Sequence, residues 1–462
     1  MKTVEVSAQE ELDLIKCIEE MIGGKVVSIA RQPRWRPSWF VTVEKNKPDQ
    51  KDQHGDNKDE LIELYVRGDR QSEVMPFPDL KREADILTVL QQQGIPAPTI
   101  YGMCESPQAI IMQASPGSRD VSTADTAEQG KDIARQYIQA LADMHSLPLQ
   151  QFADIGIRVP EGAEEIALVG LEAYLPLYKK QKTQPDPLIE FAMRWLRSNA
   201  PKHRESASFI AFDAGQFLFE NGKITALYDF EFAMIGDPMA DLATMAMRQS
   251  VEPMGEEIGI LCDYYGQITG QPVDKKIVRY HHALFATVAC MQFAGALSNP
   301  QPGDPHDIYL EWTLALRRSL LLVLADCMTV ELAPPEALTT AKSHNAAALT
   351  MLVDTVSRFK VDTEQQQGVA RASTRLLEYL QRLDQYGEQL EQLAIEDAEI
   401  FIGRTDGKDD MNQKLEAFVH QAEQSNNAAL LQFFYSQIER QLMAFTDTGV
   451  GFSASHIRLE QL

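Results

Sequence analysis

Basic residues are scarce in this chain: 43 Lys and Arg stand against 67 Asp and Glu, a formal net charge of −24 over 462 residues. A surface so acidic repels nucleic-acid phosphates, which excludes general DNA or RNA binding, and an anionic ligand needs a local basic pocket. Cysteine is sparse as well. Cys17, Cys104, Cys262, Cys290 and Cys327 are scattered, odd in number and without a CxxC pair. That argues against a disulfide framework or a zinc site and fits a reducing cytoplasm. Long apolar runs are missing: ALFATVACMQFAGAL (283–297) carries Gln292 and falls short of the roughly 20 residues of a membrane span, so it reads as a buried helix. The opening MKTVEVSAQEELDLIKC lacks the basic region and apolar run of a signal peptide, and a cytoplasmic location is expected. Two absences are local. Residues 44–60 contain no apolar residue and read as a solvated loop or hairpin tip, and RQPRWRPSWFV (31–41) contains no glycine.

What is present is ordinary globular material, 44% apolar and 24% charged, in a length that suggests about two to four domains. Residues 9–22 pattern as an amphipathic helix. KVVSIARQP, SWFVTVE and LIELYVRGD read as strands, rich in β-branched and aromatic residues. In PFPDLKREADILTVLQQQG, Leu80, Ala84, Leu87 and Leu90 share one helix face and Gly94 ends it. IPAPTIYGMCE and AIIMQASPG complete a β-rich unit near residue 116. Helical patterning follows, with Ile133, Tyr137, Leu141 and Met144 on one stripe, then short strands over 209–230 and long helices over most of 239–330. From about 336 the chain is rich in Gln, Glu, Leu and Ala. Leu376, Leu380, Leu383, Leu390 and Leu393 approximate a heptad seam interrupted by Gly387, which suits packing within the chain's own bundle or a homodimer through these helices.

The chemistry concentrates in NGKITALYDFEFAMIGDPMADLA (221–243). Asp229 closes an apolar strand, where a carboxylate is well placed to hold Mg²⁺, a hard cation that takes oxygen ligands. Asp237 and Asp241 follow a tight turn and are expected to cap helices or hold backbone amides. His145 is expected to pack or cap near this region, and the pair His281–His282 has no companion at metal-ligand spacing.

With LYVRGDR, LKREADILTVLQQQGIPAPTIYGMCE, AIIMQASPG and LADMHSLP, this segment resembles the aminoglycoside phosphotransferase and choline kinase family. The likeness is greatest to the phosphotransferase domains fused or adjacent to acyl-CoA dehydrogenases, and it covers roughly residues 25 to 330. The resemblance implies an α+β, two-lobed protein-kinase-like fold: a β-rich N-lobe (1–116), a helical C-lobe (117–335) and an all-helical C-terminal extension (336–462). It also implies ATP and Mg²⁺ as cofactors and phosphoryl transfer to a hydroxyl of a small molecule, with neither nucleic acid nor membrane as partner. Arg67 takes the place of the basic residue that contacts the nucleotide phosphates, Glu83 is its ion-pair partner, and Gln113 to Ser115 form the hinge that meets the adenine.

Two segments depart from the family pattern. The catalytic loop H-G-D-x-x-x-x-N is here AFDAGQFLF. Counting back from Asp229 without gaps puts Gln216 at the Asn and Ala211 at the catalytic Asp, which is a dead site. Deleting Pro-Gly from the HGDAGPGNFLF of relatives instead makes Asp213 the catalytic Asp, Gln216 the metal-binding amide, and Ala211–Phe212 the His-Gly pair. The phosphate-covering turn has no glycine, and its Trp35 and Trp39 would hinder close backbone approach. Its Arg31, Arg34 and Arg36 are a local basic cluster, either replacement phosphate contacts or a solvated surface. Two functions therefore stand: an ATP- and Mg²⁺-dependent small-molecule phosphotransferase, and a pseudokinase that binds a nucleotide or metabolite, or acts as a scaffold, without transfer.

Overall fold

In a computed structural model the described residues are 6–32, 36–45, 60–70, 75–298, 300, 304–340, 343–361 and 363–462. They form two compact units: residues 1–160, 207–241 and 253–272, and residues 161–206, 242–252 and 273–462.

The first unit is built on a five-stranded antiparallel sheet in the order β1-β2-β3-β5-β4, with β1 Gly24–Arg31, β2 Ser38–Lys45, β3 Glu60–Gly68, β4 Ile100–Glu105 and β5 Gln108–Gln113. Strand alternation sorts its two faces. Trp39, Val41 and Val43 of β2 and Leu64 and Val66 of β3 enter one core with Ile111 of β5. Helix α1 (Ala8–Ile22) closes that core with Leu14, Ile18 and Ile22, spaced four apart on one helix face. A Ser7–Glu10 capping box starts α1, and Gly23, at φ 72°, ends it. Arg67, between Leu64 and Val66 on one side and Gly68 on the other, faces the opposite side of the sheet, where helix α2 (Leu80–Gln92) presents Glu83.

One expectation is corrected here. Cys17 of α1 and Cys104 of β4 form a disulfide, with Cα atoms 6.1 Å apart. They are 87 residues apart in the chain, and only the packing of α1 across the sheet brings them together. Cys262 and Cys290 are buried and Cys327 is half-buried, and none of the three is in a disulfide.

Three further elements carry the rest of this unit's chemistry. Helix α3 (Ala127–His145) buries Ile133, Tyr137, Leu141 and Met144, the expected stripe. The hairpin β7 (Phe217–Glu220) and β8 (Lys223–Leu227) turns through Asn221 and Gly222, both at positive φ, as a tight Asn-Gly hairpin requires. Strands β6 (Ser208–Ile210) and β9 (Met234–Gly236) pair with each other, so the loops after β6 and after β8 emerge side by side.

The second unit is helical. The segment expected to be a buried helix lies in Lys275–Ser298, which packs against Gly162–Gln181 and His306–Met328. No described helix is long and apolar enough to cross a membrane. Helix Glu364–Ile402 runs straight through Gly387; it buries Tyr386, Ala394 and Ala398 but leaves Leu380 and Leu383 exposed.

Truncating Leu14 tests whether α1 belongs to the core of the sheet. Leu14→Ala removes a fully buried side chain and is expected to cost about 2–5 kcal/mol in urea unfolding. An unchanged midpoint would show that α1 does not pack there.

Candidate active site

The site grows from Arg67. Strand β3 holds it in register opposite Ser38 and Ile110, and its buried guanidinium reaches three carboxylates. Nε donates to Glu83 at 2.9 Å, and Nη2 donates to Asp229 at 2.5 Å and to Glu231 at 3.0 Å. The implied pairing of Arg67 with Glu83 is therefore formed. Asp229 lies just beyond β8 with φ 65°, a left-handed conformation rare for a residue with a side chain. Phe230, 2% exposed, packs near Phe209, which stacks on Phe152, and so anchors the Asp-Phe-Glu tripeptide from its middle. Arg82 of α2 stacks over Phe77 and donates to the backbone carbonyls of Glu231 and Ala233, which fixes the segment on the far side.

Electrostatics follow from burial and crowding. Burial opposes the charge on Arg67, but Asp229, Glu83 and Glu231 outweigh it and raise its pKa well above the ordinary value. Burial would raise the Asp229 carboxyl; Arg67, then Arg36 and Arg70, instead hold it down at about 2. For Glu231 burial and the neighbouring Asp229 prevail and push it up to about 7. Of the two carboxylates of the Asp-Phe-Glu tripeptide, Asp229 keeps its charge and Glu231 takes up the first proton.

The loop after β6 is the second half. Phe212 adopts φ 62°, the conformation that a glycine takes freely and that costs a bulky residue about 1–3 kcal/mol. Its backbone N–H donates to Asp241 at 2.8 Å, and the Ala211 N–H donates to the same carboxylate at 2.9 Å. Asp241 is fully buried and also meets His145 Nε2 at 3.0 Å, while His145 Nδ1 faces the Tyr265 hydroxyl at 2.8 Å. His145 thus works through Asp241 on the loop, and Asp237 holds the Met239 N–H at 3.0 Å, the roles expected of structural carboxylates. Asp213 and Gln216 come together: the Gln216 amide donates to the Asp213 carboxylate at 3.0 Å. The Gly215 N–H donates to the Tyr137 hydroxyl at 2.6 Å, and the Tyr228 N–H to the Gln216 carbonyl at 3.2 Å, which ties this loop to the strand leading into Asp229.

The remaining expected residues are positioned as follows. The Gln113 N–H donates to the Thr99 carbonyl and the Ala114 N–H to the Glu63 carbonyl, so these two hinge donors are engaged within the sheet; Ser115 is half-buried beyond them. Trp39 does not obstruct the phosphate side, because strand alternation turns it into the α1 core. Trp35 and Arg34 lie outside the described residues. Arg31 is exposed over the Trp39 ring, whereas Arg36 is buried and donates to Glu231. Arg36 and Arg70, which also donates to Glu231, belong to the site, and so does Glu231 itself. Neither Arg70 nor Glu231 stands out in the sequence; their only signals are spacings of three from Arg67 and two from Asp229. A cavity of about 10 Å³, room for one water, touches Arg36, Arg70, Glu83 and Glu231. In the second unit Glu190, Glu416 and His420 converge, but the Lys182 ammonium already bonds both carboxylates, at 2.7 and 2.8 Å.

The sequence profile described as the phosphotransferase enzyme family matches residues 54–275. The likeness to that family is carried by this stretch. Acyl-CoA dehydrogenase family member 10 of Mus musculus is 25% identical over 183 residues, which are 36% of this chain and 16% of the mouse protein. A crystal structure assigned as an aminoglycoside phosphotransferase, from Ralstonia eutropha, covers 69% of this chain and 98% of its own at 16% identity, with a TM-score of 0.51. A macrolide 2'-phosphotransferase from Brachybacterium faecium covers 66% of this chain and 97% of its own at 15% identity, with a TM-score of 0.44. The fold is kinase-like α+β: a small antiparallel sheet region and a mostly helical remainder with additional C-terminal helices. Asp213, Gln216 and Asp229 all carry side-chain oxygens, the ligand atoms that a hard cation such as Mg²⁺ takes; Arg67 already holds one oxygen of Asp229.

Two predictions follow from these bonds. Asp241→Ala strands two buried backbone donors and His145, at about 1–3 kcal/mol each, and is expected to destabilise the protein by at least about 3 kcal/mol in thermal unfolding. The folded pKa of Glu231 lies above its unfolded value, so its contribution is full below the ordinary value of 4.5 and is lost as pH rises through about 7. Melting temperature measured from pH 5 to 8 should fall across this window in wild type, and that component should be absent in Glu231→Gln.

Proposed function

We propose that this chain is an ATP- and Mg²⁺-dependent phosphotransferase acting on a hydroxyl of a small molecule. Residues 1–116 serve as the small lobe, 117–335 as the large lobe, and 336–462 as a helical extension. The observation that carries the reading is the meeting of Arg67 with both Glu83 and Asp229. A cation fixed by a helix glutamate beside a carboxylate at a strand end is the arrangement phosphoryl transfer uses to position a triphosphate. Arg67 contacts the phosphates, Gln113 to Ser115 lie against the adenine, and Asp213 orients the acceptor hydroxyl and accepts its proton. Asp229 and Gln216 hold Mg²⁺, which neutralises charge on the phosphates when bound. The Asp213–Gln216 hydrogen bond supports this assignment, since it keeps the acid and the amide within one short loop. The family match over 54–275 and the phosphotransferase names of the similar structures point the same way.

A second reading, nucleotide or anion binding without transfer, is favoured by two observations. Asp229, the residue that must face the metal, is paired with Arg67, and the cavity beside the cluster holds only about 10 Å³.

Thermal melting with MgATP and an ATP-turnover assay with hydroxyl acceptors separate the two. At a hundredfold excess over Kd, binding to the folded state alone adds about 2.7 kcal/mol. Phosphotransfer predicts a Mg²⁺-dependent shift that Asp229→Ala abolishes, and a loss of turnover of about a hundredfold or more in Asp213→Asn. A nucleotide shift with equal turnover in wild type and Asp213→Asn would establish binding without transfer.

A further inference from the structure

The long helix Glu364–Ile402 carries one apolar stripe with two fates. Val369, Leu376, Leu380, Leu383 and Gly387 follow one another at intervals of three, four and seven, so they share a face. Ala394 and Ala398 continue that face and are buried within the chain, whereas Val369, Leu380 and Leu383 are 64%, 45% and 39% exposed. Gly387 leaves a notch beside Leu383, whose side chain an added β-carbon would meet at 3.2 Å. The short helix Ala346–Ser357 lies along the long one in the opposite direction: Asn345 bonds Asp384, and Thr350 meets Gln381 at 3.5 Å. Gln381 and Asp384 stand one residue on from Leu380 and Leu383, so the short helix borders the exposed stripe. Eight of its twelve residues are apolar, yet none is buried, and Met351 and Leu352 are exposed. A helix so apolar ordinarily finds cover on more than one side.

Charge selects what covers the stripe. Two chains at −24 each repel, so self-association needs opposite charges matched locally. From Leu383 to Gly403 there are six Asp and Glu and no Lys or Arg. Glu388 and Glu391 follow Asp384 at intervals of four and seven, which puts them on the flank that the short helix borders; both are exposed or half-buried without an ion pair among the described residues. The far end of the short helix brings cations to the same flank: Arg358, paired only with Asp354 one turn back, and exposed Lys360. A parallel copy would set acid on acid. In an antiparallel copy like flanks face each other, and stacking Leu380 on the partner's Leu383 brings Leu376 to the notch at the partner's Gly387. The Arg358–Lys360 end of each hairpin then lies beside Glu388 and Glu391 of the other, a match that two-fold symmetry makes twice. We propose that this hairpin is the interface of an antiparallel homodimer, closed by the Leu380–Leu383 stripe and put in register by these charges. The inference is independent of the reaction proposed above.

The test is sedimentation equilibrium of the full chain over a range of concentrations. A dimer with a Kd in the micromolar range or tighter is expected. Leu380→Glu combined with Leu383→Glu should weaken it about a hundredfold or more, because unpaired carboxylates then enter the interface. Ile400→Glu puts the same charge on the same helix at a position that is 83% exposed and off the stripe, and should change nothing. The charge match is tested without touching the apolar residues. Arg358→Glu with Lys360→Glu, or Glu388→Lys with Glu391→Lys, should each weaken the dimer about tenfold, and the two sets combined should restore it. A wild type that stays monomeric at about 100 μM overturns the proposal and leaves the stripe to a partner of different sequence. An equal loss in Ile400→Glu overturns the stripe as the contact, and failure of the combined reversal to recover affinity overturns the antiparallel register. Growth past a dimer with rising concentration overturns closed two-fold pairing.

Discussion

A buried guanidinium has to be paired, and the first unit is organised around that requirement at Arg67. Charge taken out of water costs several kcal/mol per ion unless opposite charge meets it in good geometry. The sheet register turns Arg67 to the α2 side, α2 carries Glu83 to it, and the end of β8 delivers Asp229 and Glu231. Three elements distant in the chain are thereby held at one point, and loosening any of them strands a charge. The same dependence turns Asp229 toward a guanidinium rather than toward solvent.

The loop that carries Asp213 rests on a different device. Where the family has a histidine within the loop, this chain has Ala211, and the position expected to be glycine is Phe212 in a left-handed conformation. The strain is held by Asp241, which binds both backbone N–H groups, and Asp241 is held by His145. Support for the loop comes from its own backbone N–H groups, which donate to a carboxylate in the first turn of a neighbouring helix.

The second unit shows how far hydrophobic spacing can be trusted. The heptad-like leucines do lie on one long helix, but burial along it is uneven: Tyr386, Ala394 and Ala398 are covered, while Leu380 and Leu383 remain exposed. A spacing of three and four specifies a stripe; which part of the stripe finds a neighbour depends on where the following helices fold back. Lys182, Glu190 and Glu416 make the same point for charge, since an ammonium supplied from a loop occupies what two helices alone would offer to a metal.

Local pattern determined much of this protein. The strands β2 and β3, the face of α2 and the α3 stripe all depend on neighbours within a few residues, and so were legible, as was the likeness of the Asp229 segment and of Arg67 with Glu83 to a phosphotransferase. Tertiary structure decided what depends on distant partners. Cys17 and Cys104 look like isolated cysteines until α1 crosses the sheet. Trp39 looks like an obstruction until the parity of β2 turns it into the core, and Arg36 looks like surface charge until it meets Glu231 across a separation of 195 residues. Burial and pairing are properties of the folded whole, because a charge or a thiol acquires its role from groups that only folding brings within a few ångströms.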